Sequence, residues 1–134
     1  MRNRINRIFF LLGALILLVS CEKKIQLKYL DQPSVHEIDT VSIVFENGFV
    51  KTHVQLKRGN ITLLDSVLNT DESSGLASEF IGLVNSEGNS ELSLKIENYK
   101  LLKFPINFKY QTTIIRIENN QALILMTNKS VNYE

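Results

Sequence analysis

Alternation of apolar and polar residues with a period of two is the feature that most constrains this 134-residue chain. From Asp39 onward such segments recur roughly every ten residues, with turn-forming residues between them. The segments predicted as strands are 41–45, 49–57, 61–67, 76–84, 92–96, 99–108, 112–117 and 122–127. Beyond Cys21, no segment supports a helix longer than one or two turns. The pattern therefore predicts an all-β fold, a small antiparallel β-sandwich of about seven to eight strands.

Turn signals indicate how these strands connect. Asn47-Gly48 tolerates positive φ and predicts a tight hairpin between the first two strands. Residues 58–60 predict the next turn, and Asn119-Asn120 predicts a hairpin of the last two strands. Pro105 has no backbone N–H to donate, so its strand is expected at a sheet edge or a bulge.

The first 21 residues have the layout of a secretory signal peptide, with three arginines followed by an uncharged, mostly apolar run at 8–19. As a helix this run would span about 18 Å, at roughly 1.5 Å per residue. Because the hydrocarbon core of a bilayer is ~30 Å thick, we do not expect a permanent transmembrane helix.

The end of this segment resembles the lipobox of bacterial lipoproteins: Leu18 is aliphatic, Val19 occupies a tolerant position, Ser20 is small, and Cys21 follows. The resemblance implies cleavage between Ser20 and Cys21, a diacylglycerol on the Cys21 thiol, and an N-acyl lipid on its new amino group. Anchoring by two or more acyl chains is stable. The alternative is an ordinary cleaved signal peptide whose cysteine is there by chance. No cofactor other than these covalent lipids is expected.

Charge and composition argue against several function classes. Beyond residue 20 the chain has twelve Lys and Arg and fourteen Asp and Glu, a net charge of −2 that does not suggest a nucleic-acid partner. The single cysteine excludes an internal disulfide and a Cys-based metal cluster. The length beyond the leader suits one domain.

The predicted organisation is a signal peptide at 1–20, a lipidated tether at 21–38 and a β-sandwich domain at 39–134. Within the tether Ile25, Leu27 and Tyr29 alternate, so a short edge strand could form there. Lys23 and Lys24 depart from the acidic run that directs some lipoproteins to the cell surface. We therefore expect a lipid-anchored protein of the cell envelope, in the outer membrane and facing the periplasm.

Short motifs in the middle of the chain look like transthyretin-like, carboxypeptidase-regulatory β-sandwiches. They are the strand Val54-Gln-Leu56, the turn from Thr70 to Gly75, and the alternating strand 94–99. The 70–75 loop is longer than usual in that family, and Asn98 replaces a glycine. The resemblance covers about half of the mature chain, and it implies a fold but no particular activity. An immunoglobulin-like sandwich is the alternative fold.

No convergent catalytic or metal-binding set is evident. His53, on the polar face of its strand, and His36, in the tether, are interpreted as solvated. A calcium site is the alternative for the acids that flank one loop, although their spacing fits no EF-hand and ordinary turn chemistry is favoured. These acids are Asp65, Asp71, Glu72 and Glu79.

Hydrolase and sugar-binding patterns are equally weak. Ser66 beside Asp65, and Ser42 near Asp39, lie in no Gly-x-Ser-x-Gly elbow. Three tyrosines could stack on sugar rings, but without tryptophan they are expected to pack at rims or edges. They are Tyr99, Tyr110 and Tyr133.

Two classes of function follow from these observations. The first is a non-catalytic binding or adaptor domain that recruits an envelope protein through an exposed face or strand edge. The second is an accessory enzyme or carbohydrate-binding module acting on envelope polymers. An inhibitor or immunity lipoprotein is a third possibility. We expect the first, with the membrane as the other partner.

Overall fold

Nine strands in two packed sheets make up the computed structural model over the residues that it describes, 23–86 and 88–131. The strands are β1 (Gln26–Tyr29), β2 (Thr40–Phe45), β3 (Thr52–Arg58), β4 (Ile61–Leu68), β5 (Ile81–Val84), β6 (Glu91–Ile96), β7 (Leu102–Pro105), β8 (Thr112–Glu118) and β9 (Gln121–Thr127). One sheet has the order β1-β9-β8-β2-β5 and the other β4-β3-β6-β7. The predicted all-β sandwich is confirmed.

The five-stranded sheet is mixed rather than purely antiparallel. β1 pairs with β9 and β2 pairs with β8 in parallel, whereas the other pairs in both sheets are antiparallel. Parallel neighbours need a long connection. The chain makes it by passing through the second sheet between β2 and β8.

The hairpin predicted at Asn47-Gly48 is wrong, because β2 and β3 lie in different sheets. Gly48 does adopt a positive φ of 92°. At Gly48 the backbone also packs closely against β8, because a Cβ there would lie 2.0 Å from the carbonyl oxygen of Ile117. The Ile117 N–H in turn donates to the carbonyl of Asn47 at 2.8 Å. The dipeptide therefore carries the chain from one sheet to the other.

The other turn predictions are confirmed. The turn at 59–60 joins β3 to β4, with Gly59 at φ 57°. Asn119 and Asn120, at φ 49° and 61°, join β8 to β9 with the left-handed values of a type I′ turn. Pro105 ends β7, the edge strand of the four-stranded sheet.

The main core lies between the sheets, and in β3 and β6 alternate residues build it. In β8 and β9 consecutive residues are buried, because a second, smaller cluster includes Ile114, Leu123 and Leu125. In β3, Val54 and Leu56 are fully buried while His53 is exposed on the outer face. The rings of Phe45 and Phe49 meet edge to face, with centroids 5.6 Å apart. The largest fully buried side chains also include Ile43, Leu83, Leu92, Leu94, Ile96, Ile115, Ile124 and Met126.

The described part of the segment predicted as a tether lies against the sandwich. The short edge strand expected there is confirmed as β1, which extends the five-stranded sheet beyond β9. Ile25 is buried, and the Tyr29 ring stacks on that of Tyr110 with centroids 5.1 Å apart. The domain boundary predicted between residues 38 and 39 therefore moves toward the amino terminus, because this segment completes the sheet.

Hydrogen bonds to Asp31 connect the end of this segment to the end of β9. One carboxylate oxygen accepts from the Asn128 N–H at 2.9 Å, and the other accepts from the Thr127 hydroxyl. The Thr127 hydroxyl first, and then the Asn128 N–H, hold the pKa of Asp31 below its ordinary value. The positive charge of Lys129 acts in the same direction.

Acid is expected to weaken this attachment. A carboxyl whose pKa is lower in the folded than in the unfolded state stabilises the fold above the unfolded pKa, about 3.9, and loses that contribution as the pH falls through the folded value. In thermal unfolding scans from pH 7 down to pH ~2, the Tm of the Asp31→Asn variant should therefore fall less steeply than that of the unmodified protein. Parallel Tm curves over this acid range would contradict the role given to Asp31.

Candidate binding groove

One side of the sandwich is left open between β4 and β5, which are edge strands of different sheets. Within the described residues β4 pairs only with β3, and β5 pairs only with β2. Each strand therefore presents a row of backbone N–H and C=O groups that no neighbouring strand uses. Such a row is available for pairing with another chain.

An apolar groove, here called the edge groove, runs between these two strands. It consists of a cavity of about 200 Å³ near the amino end of β4 and one of about 360 Å³ near its carboxyl end. Leu63 lines both cavities, so they adjoin at this residue. Ile61 and Leu83 line the first cavity, and Leu64 and Phe80 line the second.

A β-bulge explains why β4 turns so much apolar surface into the edge groove. The β3–β4 pairing passes from Leu56–Leu64 to Lys57–Thr62 and leaves Leu63 without a cross-strand partner. The extra residue breaks the alternation of faces. Both Leu63 and Leu64 consequently line the groove.

Arg58, the last residue of β3, lines the amino-terminal cavity and is only 7% exposed. Its Nε donates to the carbonyl of Asn89 at 2.5 Å, and its Nη1 donates to that of Val84 at 3.0 Å. Among the described residues, Arg116 forms ion pairs with two glutamates and His53 contacts Asp65, whereas Arg58 pairs with no carboxylate. Burial of a charge is costly unless another group compensates it. For Arg58, the described groups that compensate the charge are the backbone carbonyls of Asn89 and Val84.

His53 and Asp65 meet on the outer face of the four-stranded sheet. Nε2 of His53 lies 2.6 Å from a carboxylate oxygen of Asp65, and the Gln55 amide donates to the other oxygen at 3.3 Å. Both members of the pair are about half exposed. Ser66 follows Asp65 but lines the edge groove on the opposite face of β4, so it cannot serve this histidine as a nucleophile.

The remaining acids of the calcium hypothesis do not converge. Asp71 accepts from the N–H and hydroxyl of Ser73 within its own loop, which lowers its pKa. Glu79 lines the edge groove, and Glu72 is exposed. Over 23–86 and 88–131, no group of three or more His, Cys, Asp or Glu could hold a metal ion.

The other candidates are separated as well. Ser42 lies on β2, in the sheet that does not contain His53. His36 is exposed and lines neither cavity of the edge groove. The hydroxyls of Tyr99 and Tyr110 donate to backbone carbonyls, and burial raises the pKa of both phenols. Because these two rings are buried, they form no platform for a sugar.

Several predictions fall outside the described residues. They concern the lipobox Leu18, Val19, Ser20 and Cys21, and also Tyr133. In the described part of the chain, no helix is long and apolar enough to cross a bilayer.

No protein-family model and no curated protein matches this chain. The lipobox and transthyretin-like resemblances therefore stay predictions. The edge groove and the environment of Arg58 are features that sequence reasoning missed. The one signal was the pair Leu63-Leu64, which interrupts the alternation of β4.

Proposed function

We propose that the protein is a membrane-anchored bacterial lipoprotein whose β-sandwich is a non-catalytic binding or adaptor domain in the cell envelope. The edge groove carries the binding part of the proposal, because it combines unpaired strand edges with an apolar wall. The lipobox ending at Cys21 supports the anchor, and the periplasmic face of the outer membrane is the location we favour.

The four edge strands differ in a way that favours β4 as the binding edge. β7 has only four residues and carries Lys103 and Pro105, two residue types that block pairing with another strand. β1 is equally short and carries Lys28. β4 has eight residues, no proline and no lysine, and its one charged residue, Asp65, contacts His53. β5, the fourth edge strand, has no lysine or proline either but is only four residues long. β4 is therefore the longest edge and has neither lysine nor proline.

The position of the edge groove relative to the anchor suits a partner in the periplasm. β1, next to the amino end of the described chain, and β5, which borders the groove, are opposite edges of the five-stranded sheet. At about 4.8 Å between strands, four spacings separate them by about 19 Å. A lipid at Cys21 would leave the groove open on the far side of the domain.

Site-specific photo-crosslinking in intact cells tests the proposal. Ile61 and Val67 are 62% and 58% exposed on the same strand, but Ile61 lines the edge groove while Val67 lies opposite His53 on the outer face. A photoreactive residue at Ile61 should trap one defined envelope protein, and the same residue at Val67 should trap far less of it.

The anchor is tested in the same cells. The Cys21→Ala variant should remain an uncut precursor or appear unanchored, and the unmodified protein should begin at an acylated Cys21 by mass spectrometry. A different amino terminus would overturn the lipoprotein assignment. Equal trapping from Ile61 and Val67 would overturn the binding role of the edge groove.

The second candidate function is an accessory enzyme or carbohydrate-binding module acting on envelope polymers. The contact between His53 and Asp65 favours it, since this is the kind of pair that moves protons. The described residues place no nucleophile or acid cluster beside the pair, so the binding role is the better supported. An inhibitor or immunity lipoprotein would be one form of that role.

A further inference from the structure

We propose that the edge groove binds an extended peptide that pairs antiparallel with β4 and places its carboxyl-terminal carboxylate at Arg58. The inference rests on the proposed function, because it identifies the chemical class of the partner that uses the same groove.

The free edge of β4 fits the backbone of another extended chain. Recognition by strand addition uses main-chain hydrogen bonds for affinity and pockets for alternate side chains for selectivity. β4 offers eight residues for such pairing. A peptide of similar length would match the whole edge.

The two cavities are spaced for side chains on one face of that peptide. The first is bordered by Ile61 and Leu63, and the second by Leu64, Ser66 and Leu68. Their centres along β4 are about four residues apart, or about 13 Å at 3.4 Å per residue. Residues four apart in a strand point to the same side. Apolar side chains at alternate positions of the peptide would therefore fill both cavities.

The positive charge of Arg58 at the first cavity favours a peptide that carries a negative group. The Arg58 guanidinium lies against Val84 and Gly88, which line the first cavity together with Arg58. Arg58 is buried and has no carboxylate partner among the described residues. A carboxylate delivered there would supply the opposite charge, and the bond would be charge-assisted. An apolar peptide without a negative group would leave the Arg58 guanidinium without an opposite charge.

The closed end of the groove favours a terminal carboxylate over a side chain. The connection from β5 to β6 crosses from one sheet to the other at this end of the sandwich. Gly88 in this connection lines the first cavity, and the Asn89 carbonyl accepts from Arg58 Nε. A peptide that continued past Arg58 would meet this connection, and a strand that ends there, with its carboxyl end at the amino end of β4, runs antiparallel.

Selection from a displayed library of random decapeptides with free carboxyl termini tests this inference, with the full chain in mild detergent as the target. The enriched peptides should carry apolar residues at alternate positions. Amidation of their carboxyl termini should weaken binding by about tenfold or more. Bound peptide should protect the amides of 61–68 from hydrogen exchange.

Two variants test whether Arg58 is the cation that binds the peptide carboxylate. The Arg58→Gln variant should bind the free and the amidated peptide equally, whereas Lys57→Gln, which removes a neighbouring cation from the other face of β3, should keep the difference. If Arg58→Gln fails to fold, amidation of the peptide still tests the carboxylate on the unmodified protein.

The outcomes separate this inference from the proposed function. No enriched peptide, equal binding of amidated peptides, or protection at another edge would overturn it. If the crosslink from Ile61 still traps an envelope protein in that case, the groove binds a folded surface, and only the peptide class is rejected.

Discussion

Gly48→Ala should lower the free energy of unfolding by about 3 kcal/mol or more, because two costs combine at this position. The residue has φ 92°, which side chains with a Cβ rarely adopt. The new methyl would also lie 2.0 Å from the carbonyl oxygen of Ile117, a backbone atom that cannot swing away. Urea unfolding followed by circular dichroism measures the loss.

Gly82→Ala is the matched control. The backbone at Gly82 has no positive φ, and a Cβ there would meet only the Thr40 methyl, at 3.8 Å. Its effect should stay within about 1 kcal/mol and can be stabilising, since alanine restricts the unfolded chain. If the two variants unfold alike, the close approach of 47–48 to β8 is not a constraint on this fold.

Leu56→Ala should cost about 2–5 kcal/mol, the range for removing a fully buried leucine side chain. Leu56 has no exposed surface and lies in the middle of the four-stranded sheet, between Leu64 of β4 and Leu94 of β6. The lost contacts and the remaining cavity both contribute. Because β4 packs on β3 at this point, the variant should also loosen the edge groove.

Leu101→Ala makes the same chemical change on the surface. Leu101 is 54% exposed and precedes β7, so the loss should be well under half of that at Leu56. Thermal and urea unfolding of the two variants side by side give the comparison. Equal losses would mean that the core is not centred between these sheets.

The edge groove gives the domain a physical reason to associate with another chain. A long, apolar edge without lysine or proline is a liability for a protein that remains alone. β4 is such an edge, and its wall continues into Phe80 and Ile81. A partner that covers it would gain both main-chain hydrogen bonds and apolar burial.

Local sequence chemistry predicted the strands and most turns. The alternation in β3 and β6, the asparagines at 119–120 and the proline of β7 each act through neighbouring residues, and each prediction is confirmed. The hairpin at 47–48 failed because positive φ is a local property, whereas the sheet a strand joins is not. Gly48 satisfies the same backbone preference against β8.

Neither the His53–Asp65 contact on the outer face nor the contacts of Arg58 at the edge groove could be predicted from the sequence. His53 and Asp65 are twelve residues apart and meet only because β3 and β4 pair in one register. Arg58 meets Val84 across 26 residues, through a contact between two sheets.

By itself, the sequence determined a period-two, all-β chain, because strand alternation can be read from consecutive residues. The leader and lipobox at its start stay predictions. Only the tertiary structure decided that β1 belongs to the domain, that two strand pairs are parallel, and that β4 and β5 leave a groove ending at Arg58. These features depend on which strands become neighbours. That choice is made by the packing of both sheets together.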